Sequence, residues 1–173
     1  MLKRSRWIWV GSIGLVLVAS LLVWLFFGER YVLAFQTVPD RKVNAYLPVS
    51  ESDHFQLKFT HSVHLSDVFE EYEIRNEKLY PIQLIYEDTA IGMPSNAGEG
   101  ETFEMKDGKY YISDLQGEFD SLSLTIGKIR ANHTILYHDQ SYPLKDYIEA
   151  GSFIEIEPEH ITNWQWLRGV KMK

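Results

Sequence analysis

From Tyr31 onward, apolar and polar residues alternate in short runs, the two-residue period of half-buried strands. Phe55, Leu57 and Phe59 alternate with Gln56, Lys58 and Thr60. Val68, Tyr72 and Ile74 share one face of the next run, with Glu71, Glu73 and Arg75 on the other. Tyr80, Ile82, Leu84 and Tyr86 form a further set, followed by Leu122, Leu124 and Ile126, then Ile135 and Tyr137, then Ile154 and Ile156. Turn formers separate these runs at Pro39-Asp40, Asn76-Glu77, Asp107-Gly108, His138 to Ser141 and Ala150-Gly151. Short strands at such spacing predict an all-β domain, an antiparallel β-sandwich or a barrel-like closure.

The residues before Tyr31 follow a different rule. Trp7 to Phe27 is an unbroken apolar run, with Lys3, Arg4 and Arg6 before it and Glu29, the first acid of the chain, after it. At helical rise the run spans about 32 Å, against a hydrocarbon core of about 30 Å. It predicts one transmembrane helix over 7–27, a cytoplasmic basic N-terminus over 1–6, and an extracytoplasmic β domain over 28–160. A C-terminal tail over 161–173 completes this single-pass, cell-membrane organisation. A cleaved signal peptide is the competing reading. Its apolar region is usually about 7–15 residues and ends at small residues, whereas this run is longer and ends Leu25-Phe26-Phe27-Gly28-Glu29-Arg30. The tail, with Trp164, Trp166, Leu167, Arg168, Lys171 and Lys173, reads as an edge strand or a loose terminus. Contact with the membrane interface is the alternative for it.

Charge narrows the list of partners. The chain has 17 basic and 24 acidic residues among 173, and removing Lys3, Arg4 and Arg6 leaves 14 against 24 beyond the apolar run, a formal charge of −10. Nucleic acid is excluded as a partner, because phosphate binding needs clustered cations. The predicted partner is the lipid bilayer, through residues 7–27. With no cysteine, the domain has neither disulfides nor thiolate chemistry, and its stability rests on packing.

Candidate chemistry concentrates between Thr60 and Tyr72, where His61, Ser62, His64, Asp67, Glu70 and Glu71 fall together. His61, His64 and Glu70 are weak candidates for a metal: His and carboxylate suit zinc, but a spacing of three on a strand sends the two histidines to opposite faces. His61 beside Ser62 suggests a nucleophile with its base, yet no G-x-S-x-G elbow is present. The alternative is structural, with His61 and Glu70 hydrogen-bonded across a hairpin corner. Glu70 shares its face with Val68, Tyr72 and Ile74, so its carboxylate points inward and needs a specific partner. Gly92, Met93 and Pro94 punctuate a second corner, where glycine permits positive φ and the residue before proline favours extended backbone. No cofactor motif is present.

Phe59-Thr60-His61-Ser62-Val63 followed by Glu70-Glu71-Tyr72 resembles the Y-x-H-S-V…E-x-(Y/F) segment of domain-of-unknown-function family 1850. Ala90-Ile91-Gly92-Met93-Pro94 is similar to its G-A-G-(L/M)-P stretch, and His133 to Leu136, Tyr142 to Leu144 and Ile154 to Ile156 are similar to its closing strands. The resemblance covers most of residues 31–157. It departs at His64, where family members often carry an acid, and at Ala90-Ile91. The resemblance implies a small exported or anchored protein encoded beside TRAP-type transporters that use TAXI-type solute-binding proteins. It transfers no catalytic residue.

Two functions follow. The first is a non-enzymatic, membrane-anchored accessory or binding protein of a TRAP/TAXI-type uptake system, meeting the transporter's membrane subunit or its solute-binding protein. Its polar corner comprises His61, Ser62, Glu70, Gly92, Met93 and Pro94. The second is a surface metal-dependent or serine hydrolase centred on His61, His64 and Glu70.

Overall fold

The computed structural model describes residues 2–63, 65–89, 92–128 and 131–173, with side chains from residue 11 onward. Helix α1 runs Leu2–Phe27 and passes almost directly into strand β1, Glu29–Thr37. Among the described residues no helix is long and apolar enough to cross a membrane. The predicted span 7–27 falls partly on residues 7–10, whose side chains lie outside the described ones.

Eleven further strands follow β1. They are β2 (Lys42–Pro48), β3 (His54–Thr60), β4 (Asp67–Arg75), β5 (Lys78–Tyr86), β6 (Thr102–Lys106) and β7 (Lys109–Ser113), then β8 (Leu122–Thr125), β9 (Thr134–Tyr137), β10 (Gln140–Pro143), β11 (Phe153–Thr162) and β12 (Val170–Lys171). A short helix α2, Asn163–Arg168, lies between β11 and β12. The strands form two sheets, ordered β12-β2-β1-β11-β8 and β10-β9-β3-β4-β5-β7-β6. Every pairing between named strands is antiparallel except β12 with β2.

Turn chemistry sets the hairpins. Asn76-Glu77, Asp107-Gly108 and His138-Asp139 join β4–β5, β6–β7 and β9–β10, and each pair has positive φ at both residues. That geometry matches the twist of the flanking strands, and Asn, Asp and Gly tolerate it best.

Leu33, Phe35, Ala45 and Leu47 of the first sheet face Phe55, Leu57, Tyr72, Ile74 and Ile135 of the second in the main core. Two departures from simple alternation have distinct causes. In β1, Val32 through Gln36 are all buried, because both faces are covered. Val32 and Ala34 pack outward with Val43, Tyr46 and Ile161 beneath Trp166 of α2. In β5, the alternating set at Tyr80, Ile82, Leu84 and Tyr86 is broken by a register shift. Glu71 pairs with Gln83, but Tyr72 pairs with Pro81, which leaves Ile82 as an extra residue. Leu79 and Pro81 therefore share the face of Leu84 and Tyr86, while Tyr80 turns away and carries Arg75 over its ring at 3.9 Å. Proline has no N–H for the ladder and is accommodated at such bulges.

Residues 161–173 are not a separate tail. β11 continues to Thr162, whose side chain caps α2 by accepting from the Gln165 amide, while the Gln165 side chain accepts from the Thr162 amide. β12 then adds the edge strand, and Met172 is buried in the main core.

Candidate functional site

The register across the seven-stranded sheet places one residue from each strand in a single row. It reads Tyr142, Ile135, Leu57, Glu70, Leu84, Ile112 and Phe103. Glu70 is the only charged member. It marks the seam between the main core and a smaller cluster of Val68, Tyr86 and Ile112 with Leu84, Met93 and Phe103.

Alternation in β4 dictates that Glu70 faces inward with Val68, Tyr72 and Ile74, and there it must find a donor. The Tyr72 hydroxyl donates to Glu70 Oε2 at 2.9 Å. Burial pushes the Glu70 carboxyl above the ordinary carboxylate range, and the Tyr72 hydrogen bond pulls part of that back. Burial, reinforced by the adjacent carboxylate, likewise raises the Tyr72 phenol. The hairpin pair between His61 and Glu70 is not the arrangement formed. Leu57 stands opposite Glu70, because β3 and β4 pair from Thr60↔Asp67 without a shift.

Glu70 opens instead onto a cleft of about 210 Å³, lined also by Tyr72, Gln83, Leu84, Gln116 and Phe119. Phe119 is fixed there by two backbone bonds with Leu79, at 2.8 and 2.9 Å, and its ring meets Tyr72 edge-on at 6.5 Å. Gln116 and Phe119 escape a sequence reading because they lie in an irregular stretch between β7 and β8, brought to β4 only by the tertiary fold.

His61 and Gly92 do come together. A Cβ built on Gly92 would approach His61 Nε2 at 4.0 Å, and Gly92 has a φ of +93°, which favours glycine. Met93 packs on the smaller cluster, and the Pro94 carbonyl accepts a 2.6 Å hydrogen bond from the Tyr86 hydroxyl. The β3–β4 loop is closed by His61 N–H to the Ser66 carbonyl at 2.8 Å. Ser62 is exposed at its turn, as are Val63 and Leu65. This loop joins two antiparallel strands and not a strand to a helix, so a nucleophile elbow is not the geometry built. Among the described residues no three His, Asp or Glu side chains are placed to hold a metal ion. His64, the third member of the candidate metal set, lies outside the described residues, as do Ala90 and Ile91.

A second buried polar group lies on the first sheet. Gln36 is 3% exposed and donates through Nε2 to Glu157 at 2.7 Å and Glu159 at 2.6 Å. Arg41 reaches Glu155, Glu157 and Glu159 and offsets part of their charge. Burial raises both the Glu157 and Glu159 carboxyls.

The Glu70 pKa has a measurable consequence. A carboxyl raised on folding costs nothing below its unfolded pKa, where both states are protonated, and the cost appears as pH rises through the folded value. Glu70→Gln keeps the acceptor for Tyr72 and removes the charge. It is expected to melt above the parent at about pH 7.5, with the gap closing toward about pH 4. Each ~1 kcal/mol of relief corresponds to about 2–4 °C in a chain of this size. Thermal melts at both pH values check this, and a variant that melts lower at neutral pH contradicts it.

Taken together, the two facing, mostly antiparallel sheets and the carboxylate seam define a β-sandwich domain with a charged side chain set into the inner face of its larger sheet. Residues 55–144 match the family described as Domain of unknown function (DUF1850), and the chain belongs to that family. The matched segment supplies all seven strands of the larger sheet, whereas β1, β2, β11, β12 and both helices lie outside it. Neither a curated relative nor a solved structure matches the chain.

Proposed function

We propose that this protein is a non-catalytic, membrane-anchored binding or accessory module of a solute uptake system, with its β domain outside the cell membrane and its N-terminus in the cytoplasm. The observation that carries this reading is the join between α1 and the sandwich. Asn163, 4% exposed, donates through Nδ2 to the Trp24 carbonyl at 2.9 Å and accepts from Arg30 Nε at 2.8 Å. Its backbone N–H donates to the Gly28 carbonyl at 2.8 Å. The last turn of α1 is thereby tied to β1 and α2, so an anchor in α1 sets the pose of the domain above the bilayer.

Support for the anchor comes from the helix itself. Leu15, Val16, Leu17 and Val18 are consecutive and all exposed, as are Leu21, Leu22 and Val23. At about 100° per residue, consecutive apolar positions face every direction, a pattern suited to lipid and not to one protein face. Trp24 and Phe27 at the end of α1, with Trp164 and Leu167 on α2, are also exposed and form an apolar collar where an interface would lie. The transporter is supplied by the family resemblance: TRAP-type systems with TAXI-type solute-binding proteins.

Native membranes solubilised in mild detergent provide the test. The full chain is expected to resist carbonate extraction and to co-purify with the transporter's membrane subunit. Release by carbonate would overturn the anchor, and repeated failure to co-purify would overturn the partner.

A further inference from the structure

We infer that the Glu70 cleft is a binding site for a small organic monocation, an alkylammonium-type ligand. This goes beyond the anchored-accessory reading and does not rest on it. The first argument is the chemistry of the wall. The Tyr72 hydroxyl spends its proton on Glu70, Gln83 Nε2 donates to Ser113 Oγ at 2.7 Å, and Gln116 Nε2 donates to the Asp114 carbonyl at 2.6 Å. What remains to be offered is the Glu70 carboxylate, two amide oxygens and one further N–H on each amide, so the strongest group on the wall is an anionic acceptor. Among the described residues no lysine, arginine or histidine lines the cleft. Glu71, the other acid at its edge, is engaged by His54 Nδ1 and Gln56 Nε2, each at 3.2 Å. A wall whose one charge is a carboxylate favours a cationic donor over an anion.

The second argument is electrostatic. Glu70 is the one charge in its row, and among the described residues its hydrogen-bond partner is a neutral hydroxyl. A cation entering beside it supplies the missing counter-charge in a partly desolvated site, where the attraction is stronger than in water. An anion would meet the carboxylate, and a neutral alcohol would leave the charge uncompensated. The third argument is the aromatic wall. Tyr72 and Phe119 present ring surface within the same cleft, suited to an ammonium head or the methylenes next to it. Leu84 and Leu115 receive an alkyl stem. A volume of about 210 Å³, roughly seven waters, accommodates a ligand of on the order of half a dozen heavy atoms.

The experiment titrates the full chain in non-ionic detergent with n-butylammonium, n-butanol and butyrate by calorimetry, with empty micelles as blank. Saturable one-to-one binding of butylammonium is expected, with butanol at least about tenfold weaker and butyrate silent. Glu70→Gln is expected to weaken butylammonium by about tenfold or more while melting no lower than the parent at neutral pH, so that unfolding does not explain the loss. Phe119→Ala, altering an exposed ring, is expected to weaken it as well. Equal binding of butanol, undiminished binding by Glu70→Gln, or no saturable binding of butylammonium would each overturn the inference. None of these outcomes bears on carbonate extraction or co-purification, so the two readings fail separately.

Discussion

Asn163→Leu is expected to loosen the β domain from α1 while leaving the sandwich itself folded. Leucine matches asparagine in size but removes the donor to the Trp24 carbonyl and the acceptor for Arg30 Nε. Each buried group left without a partner costs about 1–3 kcal/mol, more when it is charged. Gly28 depends on the same geometry. A Cβ there would fall 2.2 Å from Asn163 Nδ2 and 2.7 Å from the Trp24 carbonyl oxygen, so Gly28→Ala should reproduce the effect by collision. The cysteine-free chain allows single nitroxide labels without background. Labels at Leu17→Cys and Ser123→Cys should give a narrow distance distribution in the parent and a broad one in either variant. Equal widths would show that this join does not hold the domain in place.

Phe35→Ala is expected to cost about 3–5 kcal/mol, a large part of the roughly 5–15 kcal/mol that stabilises a domain. Phe35 is fully buried at the centre of β1, flanked by β2 and β11, and faces the main core. Strands on both sides limit the collapse that would refill the cavity. The denaturation midpoint should fall steeply, whereas Phe153→Ala, at a residue 46% exposed, should shift it little. Similar losses at both positions would contradict this placement of the core.

Much of this architecture was legible in the residue pattern. Alternation at Phe55-Leu57-Phe59 and at Val68-Tyr72-Ile74 located β3 and β4 with the correct faces inward, because a half-buried strand imposes its period on the sequence directly. Asn76-Glu77 and Asp107-Gly108 announced their hairpins, because few residues accept positive φ at successive positions. Glu70 stood out as an inward carboxylate for the same reason of parity. Its partner did not, since pairing with Tyr72 two positions along the strand depends on which rotamers the packed cleft permits.

Local pattern determined the β class, the strand faces and the position of the N-terminal apolar run. These are consequences of backbone period, turn chemistry and transfer energetics, each acting over a few residues. Tertiary structure decided what depends on distant neighbours. The bulge at Ile82 turned Tyr80 outward, α2 covered the back of β1, and Met172 entered the core from the C-terminus. Asn163 was set against Trp24 and Gln116 and Phe119 against Glu70, because register and sheet order bring together residues whose separation along the chain carries no periodic signal.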